Sequence, residues 1–274
     1  MRLPLLFEQK FDEYFATTSP GHPLWLFVHV PKTAGSSLRA ELAGMLRPEA
    51  NIHIDHGDST KPFRDRFDEA VANFIAEARQ RPFRFASGHI DMAQVQRIRD
   101  ALPDVRCVTM LRHPVARFVS DFRYQRSPMH PTHAEFRRRV PTLEDYVAFR
   151  SEWNKTARHL VPSALVDRGD AVSCIDHIMR TYDFVGIQEM YPLSFRTLTT
   201  LVGEPRLATQ MLRVNEVTDA NRVELSPVLA REIEANNLLD MAIYDTILDR
   251  FRMVRDPLRD YLRDHCPVRG AAAT

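Results

Sequence analysis

Residues 24–42 read LWLFVHVPKTAGSSLRAEL, and this stretch decides the fold. The apolar run 24–30 is a buried strand in the making, while LRAEL opens a helical pattern, so PKTAGSS is the turn between a strand and a helix beginning near Ser36. In a parallel sheet that turn lies where phosphates bind. Ala34, Gly35, Ser36 and Ser37 are small enough for the backbone to curl closely, and successive N–H groups at the helix start form a donor-rich cradle. Lys32 adds a full charge on a flexible stem. A second reading stays open at this point: Ser36 or Ser37 merely caps the helix. The pattern is not GxxxxGK[ST], so a nucleoside triphosphate loop of that type is not supported.

Working outward, further apolar runs fall at 83–87, 106–111 and 184–188, with helical patterns between them; Arg66–Gln80 repeats apolar positions at 70, 71, 74, 75 and 78. The alternation predicts an α/β fold, a parallel sheet covered by helices. No repeat or linker divides the chain, so the expectation is a single domain over 1–274 with its core at about 24–252. Residues 127–141, SPMHPTHAEFRRRVP, break the periodicity and predict an exposed connection or lid. After Ser226 one or two amphipathic helices are expected, with Leu238, Leu239, Ile243, Ile247 and Leu248 as the core-facing stripe. The tail from Pro267 is too small and polar to pack.

A second strand-to-helix junction, CVTMLRHPVARFVSDFRYQR (107–126), puts Arg112 at a strand end, Pro114 in the first helical turn and Ser120 about two turns in. Both side chains reach one phosphate if it lies along those turns, Arg112 as a bidentate donor. Taken alone, the pair reads better as a surface arginine and a solvent-facing serine. Two phosphate elements in one sheet suit a nucleotide with two separate anionic groups. His89 ends the run FRFASGH at another strand end; an imidazole there titrates near neutrality and suits a general base, or else bonds a backbone group. Asp91 is close in sequence, but a residue two positions on in a loop has no set direction. His29 reads as strand packing and His113 as part of its turn, while His53, His56, His130 and His133 show no ligand spacing.

Composition narrows the rest. Of 274 residues 44% are hydrophobic and 27% charged, with a formal net charge of +1, which fits an ordinary globular protein and gives no case for nucleic acid. Basic charge is almost all arginine, lysine standing only at 10, 32, 61 and 155. Cys107, Cys174 and Cys266 form no CxxC pair, so neither a disulfide framework nor a zinc site is expected, and a reducing cytoplasm is the simplest setting. The opening MRLPLLFEQKFDEYF has only a short apolar run, and no later stretch suits a membrane anchor.

Taken together the motifs resemble the PAPS-dependent sulfotransferases (PAPS, 3′-phosphoadenosine 5′-phosphosulfate), especially the carbohydrate branch with the heparan sulfate 2-O- and 6-O-sulfotransferases. VPKTAGSS resembles their 5′-phosphosulfate loop, ASGHIDM the segment of their catalytic histidine, and LRHPVARFVSDFR their 3′-phosphate element. YDFVGIQEMYPLSFRTL and NNLLDMAIYDTILDRF are similar to the last core strand with its helix and to the closing helix; LRVNEVTDAN (212–221) is a weaker likeness that points to Arg213. The resemblance implies a P-loop-NTPase-like sheet, PAPS as sulfuryl donor, no metal, and a hydroxyl acceptor on a carbohydrate. It implies Lys32, Thr33, Ala34, Gly35, Ser36, Ser37, Arg112, Ser120 and Arg213 as donor contacts, His89 as base and Lys32 as a charge stabiliser. Arg137–Arg139, with Arg123 and Arg126, are a candidate patch for an acidic polysaccharide or simply a solvated face. A nucleotide-dependent small-molecule kinase and a non-catalytic protein that keeps the PAPS fold for binding are the alternatives.

Overall fold

The structure, a computed structural model, describes residues 2–16, 23–54, 61–208 and 223–268. Arg213, His56 and residues 269–274 of the tail lie outside them. The order along the chain is α1 (Leu3–Phe7), α2 (Phe11–Phe15), β1 (Leu24–Val28), α3 (Gly35–Met45), β2 (Glu49–Ile52), α4 (Phe63–Gln80), β3 (Phe85–Gly88), α5 (Met92–Ala101) and β4 (Val105–Leu111). There follow α6 (Pro114–Arg126), α7 (His133–Arg139), α8 (Leu143–Val147), α9 (Lys155–Leu160), α10 (Ser163–Arg168), α11 (Ala171–Thr181), β5 (Phe184–Ile187), α12 (Tyr191–Leu201), α13 (Pro227–Asn236) and α14 (Leu238–His265).

The strands form one five-stranded sheet, all parallel, in the order β2-β3-β1-β4-β5. Every residue of β1, β3 and β5 is buried, as expected of strands covered by helices on both faces. The chain leaves β1 toward β2 on one side and later crosses over β1 from β3 to β4 on the other. The loops after β1, β3 and β4 therefore meet at one edge of the sheet, where open parallel sheets bind ligands. Register fixes this closely: Val28 pairs with Gly88, and Leu111 with Ile187.

Four strands lie where the apolar runs put them. β2 was not expected; it is a short edge strand, EANI, with only Ile52 buried, too brief and polar to show alternation. The region expected as a lid holds α7, none of whose residues is buried. In α14 the buried line runs through Leu239, Ile243, Ile247, Phe251, Val254, Leu258 and Leu262, whereas Leu238 is 67% exposed. Leu238 is the first residue of the helix and turns off the stripe that its neighbour Leu239 begins. Among the described residues, no helix is long and apolar enough to cross a membrane.

Candidate active site

The turn after β1 is built by its backbone. Lys32 (φ 70°) and Ala34 (φ 64°) both take the left-handed conformation, which costs about 1 kcal/mol or more at each non-glycine position and persists only where the surroundings hold it. The Thr33 hydroxyl between them is buried and donates to the Val30 carbonyl at 2.9 Å, so its side chain pins the turn and leaves only its backbone for a ligand. α3 then starts at Gly35 with Ala34 at the N-cap and no side-chain capping bond. Neither Ser36 nor Ser37 caps the helix, and both line a cavity of about 790 Å³. Gly35 is required for space: a Cβ there would lie 2.1 Å from Nε2 of His29.

The second element closes on the first. Arg112, directly after β4, donates from Nη1 to the Lys32 carbonyl at 3.2 Å, tying the two junctions together. Burial lowers the Arg112 pKa from its ordinary value, Glu189 opposing the effect; the group remains a cation at neutral pH. The start of α6 is held by Glu189, whose carboxylate accepts the His113 N–H at 2.9 Å. Ser120 faces the same cavity as Arg112, and one turn on Tyr124 offers its ring to Lys32, whose Nζ stands 4.1 Å from the centroid.

His89 follows β3 and lines the cavity. Its Nδ1 lies 2.7 Å from the His29 carbonyl oxygen. A carbonyl only accepts, so Nδ1 carries the proton in this contact. Of the two sequence readings of His89, the structure shows the backbone partner. Asp91 is not its partner: the carboxylate caps α5, accepting from the N–H groups of Ala93 (2.9 Å) and Gln94 (3.3 Å).

The cavity thus gathers Lys32, Ala34–Ser37, His89, Arg112 and Ser120 from three separate junctions. It also holds residues that sequence reasoning missed. His29 lies on its floor, nine-tenths buried, with its pKa pulled well down by burial first and then by His89, His159, Arg39 and Lys32. Outside the cavity lining, His159 on α9 donates from Nδ1 to the Ile90 carbonyl at 3.2 Å, and burial, opposed by that bond, brings its pKa to about 4. Gln188 Oε1 and the Tyr191 hydroxyl, on the wall beyond β5, are buried without a hydrogen-bond partner among the described residues. On α6 itself, Asp121 accepts from Lys155 (3.0 Å) and Arg117 (3.4 Å); burial pushes its pKa up, and those two cations outweigh it and hold it below the ordinary value. Only Lys155 left a trace in the sequence, as one of the few lysines retained.

The arginines of the candidate patch are partly committed elsewhere. Arg137 donates from Nε to the Arg126 carbonyl at 2.7 Å, and the Arg139 guanidinium lies over the Phe149 ring. Among the described residues, no group of three or more His, Cys, Asp or Glu is arranged to hold a metal ion.

No protein-family model matches the chain, and no curated protein matches it. Among solved structures, a sulfotransferase from Alicyclobacillus acidocaldarius is similar at a TM-score of 0.48 and 17% identity, covering 84% of this chain and 97% of that one. Mouse sulfotransferase SULT7A1 complexed with PAP is similar at a TM-score of 0.38 and 12% identity, over 94% and 90% of the respective chains. Both likenesses are remote.

Proposed function

We propose that this protein is a sulfotransferase that moves a sulfuryl group from PAPS to a hydroxyl, with a carbohydrate as the acceptor. The observation that carries the reading is the meeting, in one cavity, of two strand-to-helix junctions rich in cationic and N–H donors and a histidine held through its Nδ1 by the backbone of His29.

The residues fit such a donor. Arg112 and Ser120 suit a 3′-phosphate, as a charged and a neutral hydrogen-bond donor. The 5′-phosphosulfate suits the turn at 32–37, where left-handed backbone and a helix start without a side-chain cap present N–H groups. Tyr191 and Gln188 leave polar atoms for the rest of the nucleotide.

In the reaction His89 Nε2 takes the proton of the acceptor hydroxyl as its oxygen bonds to sulfur. The bond from sulfur to the bridging oxygen breaks in line, and the electron pair stays on the 5′-phosphate. Lys32 stabilises the charge that collects there, a role for a mobile ammonium. The cavity positions both reactants and thereby removes most of the entropic cost of their encounter. The carbohydrate acceptor rests on the motif resemblance; hydroxyl chemistry rests on His89.

The test is to incubate the full chain with PAPS and a panel of oligosaccharides, lipids and small alcohols, and to read the products by mass spectrometry. The expected result is an added sulfuryl group on an oligosaccharide. Sulfation confined to lipids or small alcohols would overturn the acceptor class, and phosphorylation from ATP with no sulfation would overturn the reaction.

A further inference from the structure

We propose that His29 is a positioning residue for His89, holding the base in register with the phosphate turn; this rests on the transfer reading above. A strand-packing role would need only apolar bulk. What the structure shows is a flat polar ring fixed on three sides, each by a group of the site or its support.

The backbone of His29 continues the β1–β3 ladder one residue past the strands. Its N–H donates to the Gly88 carbonyl at 2.9 Å, and its own carbonyl accepts from His89 Nδ1 at 2.7 Å. Its ring stacks on the His89 ring, centroids 4.2 Å apart and planes 30° apart. On the strand side Phe27 stacks with it at 5.2 Å and 19°. Its edge fills the space of the side chain that Gly35 lacks, as the 2.1 Å approach of a Cβ to Nε2 shows. One residue therefore touches the proposed base with both backbone and ring, and touches the first residue of the helix that receives the donor.

The consequence is mechanical. The carbonyl sets which His89 nitrogen bears the proton, and the stacked ring limits rotation of the imidazole about its own axis. Because the same ring abuts Gly35, the His89 plane is referenced to the start of α3 rather than to the mobile acceptor. Catalytic groups depend on such support, since a misplacement of about 1 Å can cost on the order of 10²-fold in rate.

The experiment compares wild type, His29→Leu, His89→Ala and the double variant in single-turnover sulfation and in calorimetric titration with 3′-phosphoadenosine 5′-phosphate. His29→Leu keeps bulk and backbone but loses the flat ring. The expected result is a rate lowered about tenfold to hundredfold, nucleotide affinity within about threefold of wild type, and no added loss when His89 is already alanine. A near-normal rate in folded His29→Leu, or the same loss in both backgrounds, would overturn the proposal. Should His29→Leu not fold, His29→Asn, smaller and flat, is read by the same cycle and the same criteria. A wild-type chain that neither binds the nucleotide nor transfers sulfate fails the function itself, an outcome distinct from failure of the cycle.

Discussion

Two kinds of helix start in this molecule are built oppositely. At α5, Asp91 and Gln94 satisfy the terminal N–H groups reciprocally, and at α9 and α14 the chain caps two helices at once: Asn154 accepts from the N–H groups of Leu239 and Asp240, and Asp240 accepts from those of Thr156 and Ala157. At α3 no side chain caps, although serines stand in the first turn. The α3 start faces a cavity beside Lys32 and Arg112, while the capped starts are satisfied within the chain. Substitutions at the two kinds of site should then separate: cavity residues change binding or rate, and caps change stability.

The largest separation is expected at His89. His89→Ala should lower the chemical step by roughly 10²–10⁴-fold with nucleotide affinity nearly intact, measured by single-turnover sulfation and titration; a near-normal rate would remove it as the base. Arg112→Ala should weaken nucleotide binding by about 1.5–3 kcal/mol, with a melting temperature close to wild type. Unchanged affinity in the folded variant would empty the proposed 3′-phosphate site.

On the capped side, Asp240→Ala should lower unfolding free energy by about 2–4 kcal/mol, since buried N–H groups left without acceptors cost about 1–3 kcal/mol each. Asp240→Asn, which keeps an accepting oxygen, should cost less. Denaturant titration reads both, and a loss of nucleotide affinity without loss of stability would break the comparison.

The smallest effect concerns pH. His159 has a folded pKa of about 4 against an ordinary 6.5, so the unfolded chain takes up the proton first. Its contribution to stability is present above pH 6.5 and is lost as pH falls toward 4. His29 acts in the same direction, whereas Asp183 and Asp240, raised by burial, act oppositely. His159→Gln should flatten the fall in melting temperature between those limits; an unchanged slope would place the titration elsewhere.

What the sequence discloses follows the same division. Lys32, Ser36, Ser37, His89 and Arg112 stand out in the sequence because each sits at a strand-to-helix junction, and Ser120 because it follows Arg112 two turns into the same helix; the structure brings all six to one cavity. The caps of α9 and α14 are not, since Asn154 and Asp240 lie 86 residues apart and meet only through the fold. His29 reads as packing in the sequence because nothing local distinguishes a ring that fills a core from one stacked on a neighbour; the stacking on His89 exists only once β1 and β3 are paired. Tyr124 and Tyr191 were passed over for a similar reason, as aromatic residues inside helical patterns.

The central claim, that the cavity takes a nucleotide carrying two separate anionic groups, is tested most directly by calorimetry of the full chain with 3′-phosphoadenosine 5′-phosphate and with ATP, each with and without magnesium. The account predicts tighter binding of 3′-phosphoadenosine 5′-phosphate, independent of magnesium. Equal or tighter binding of ATP, dependent on magnesium, would contradict it.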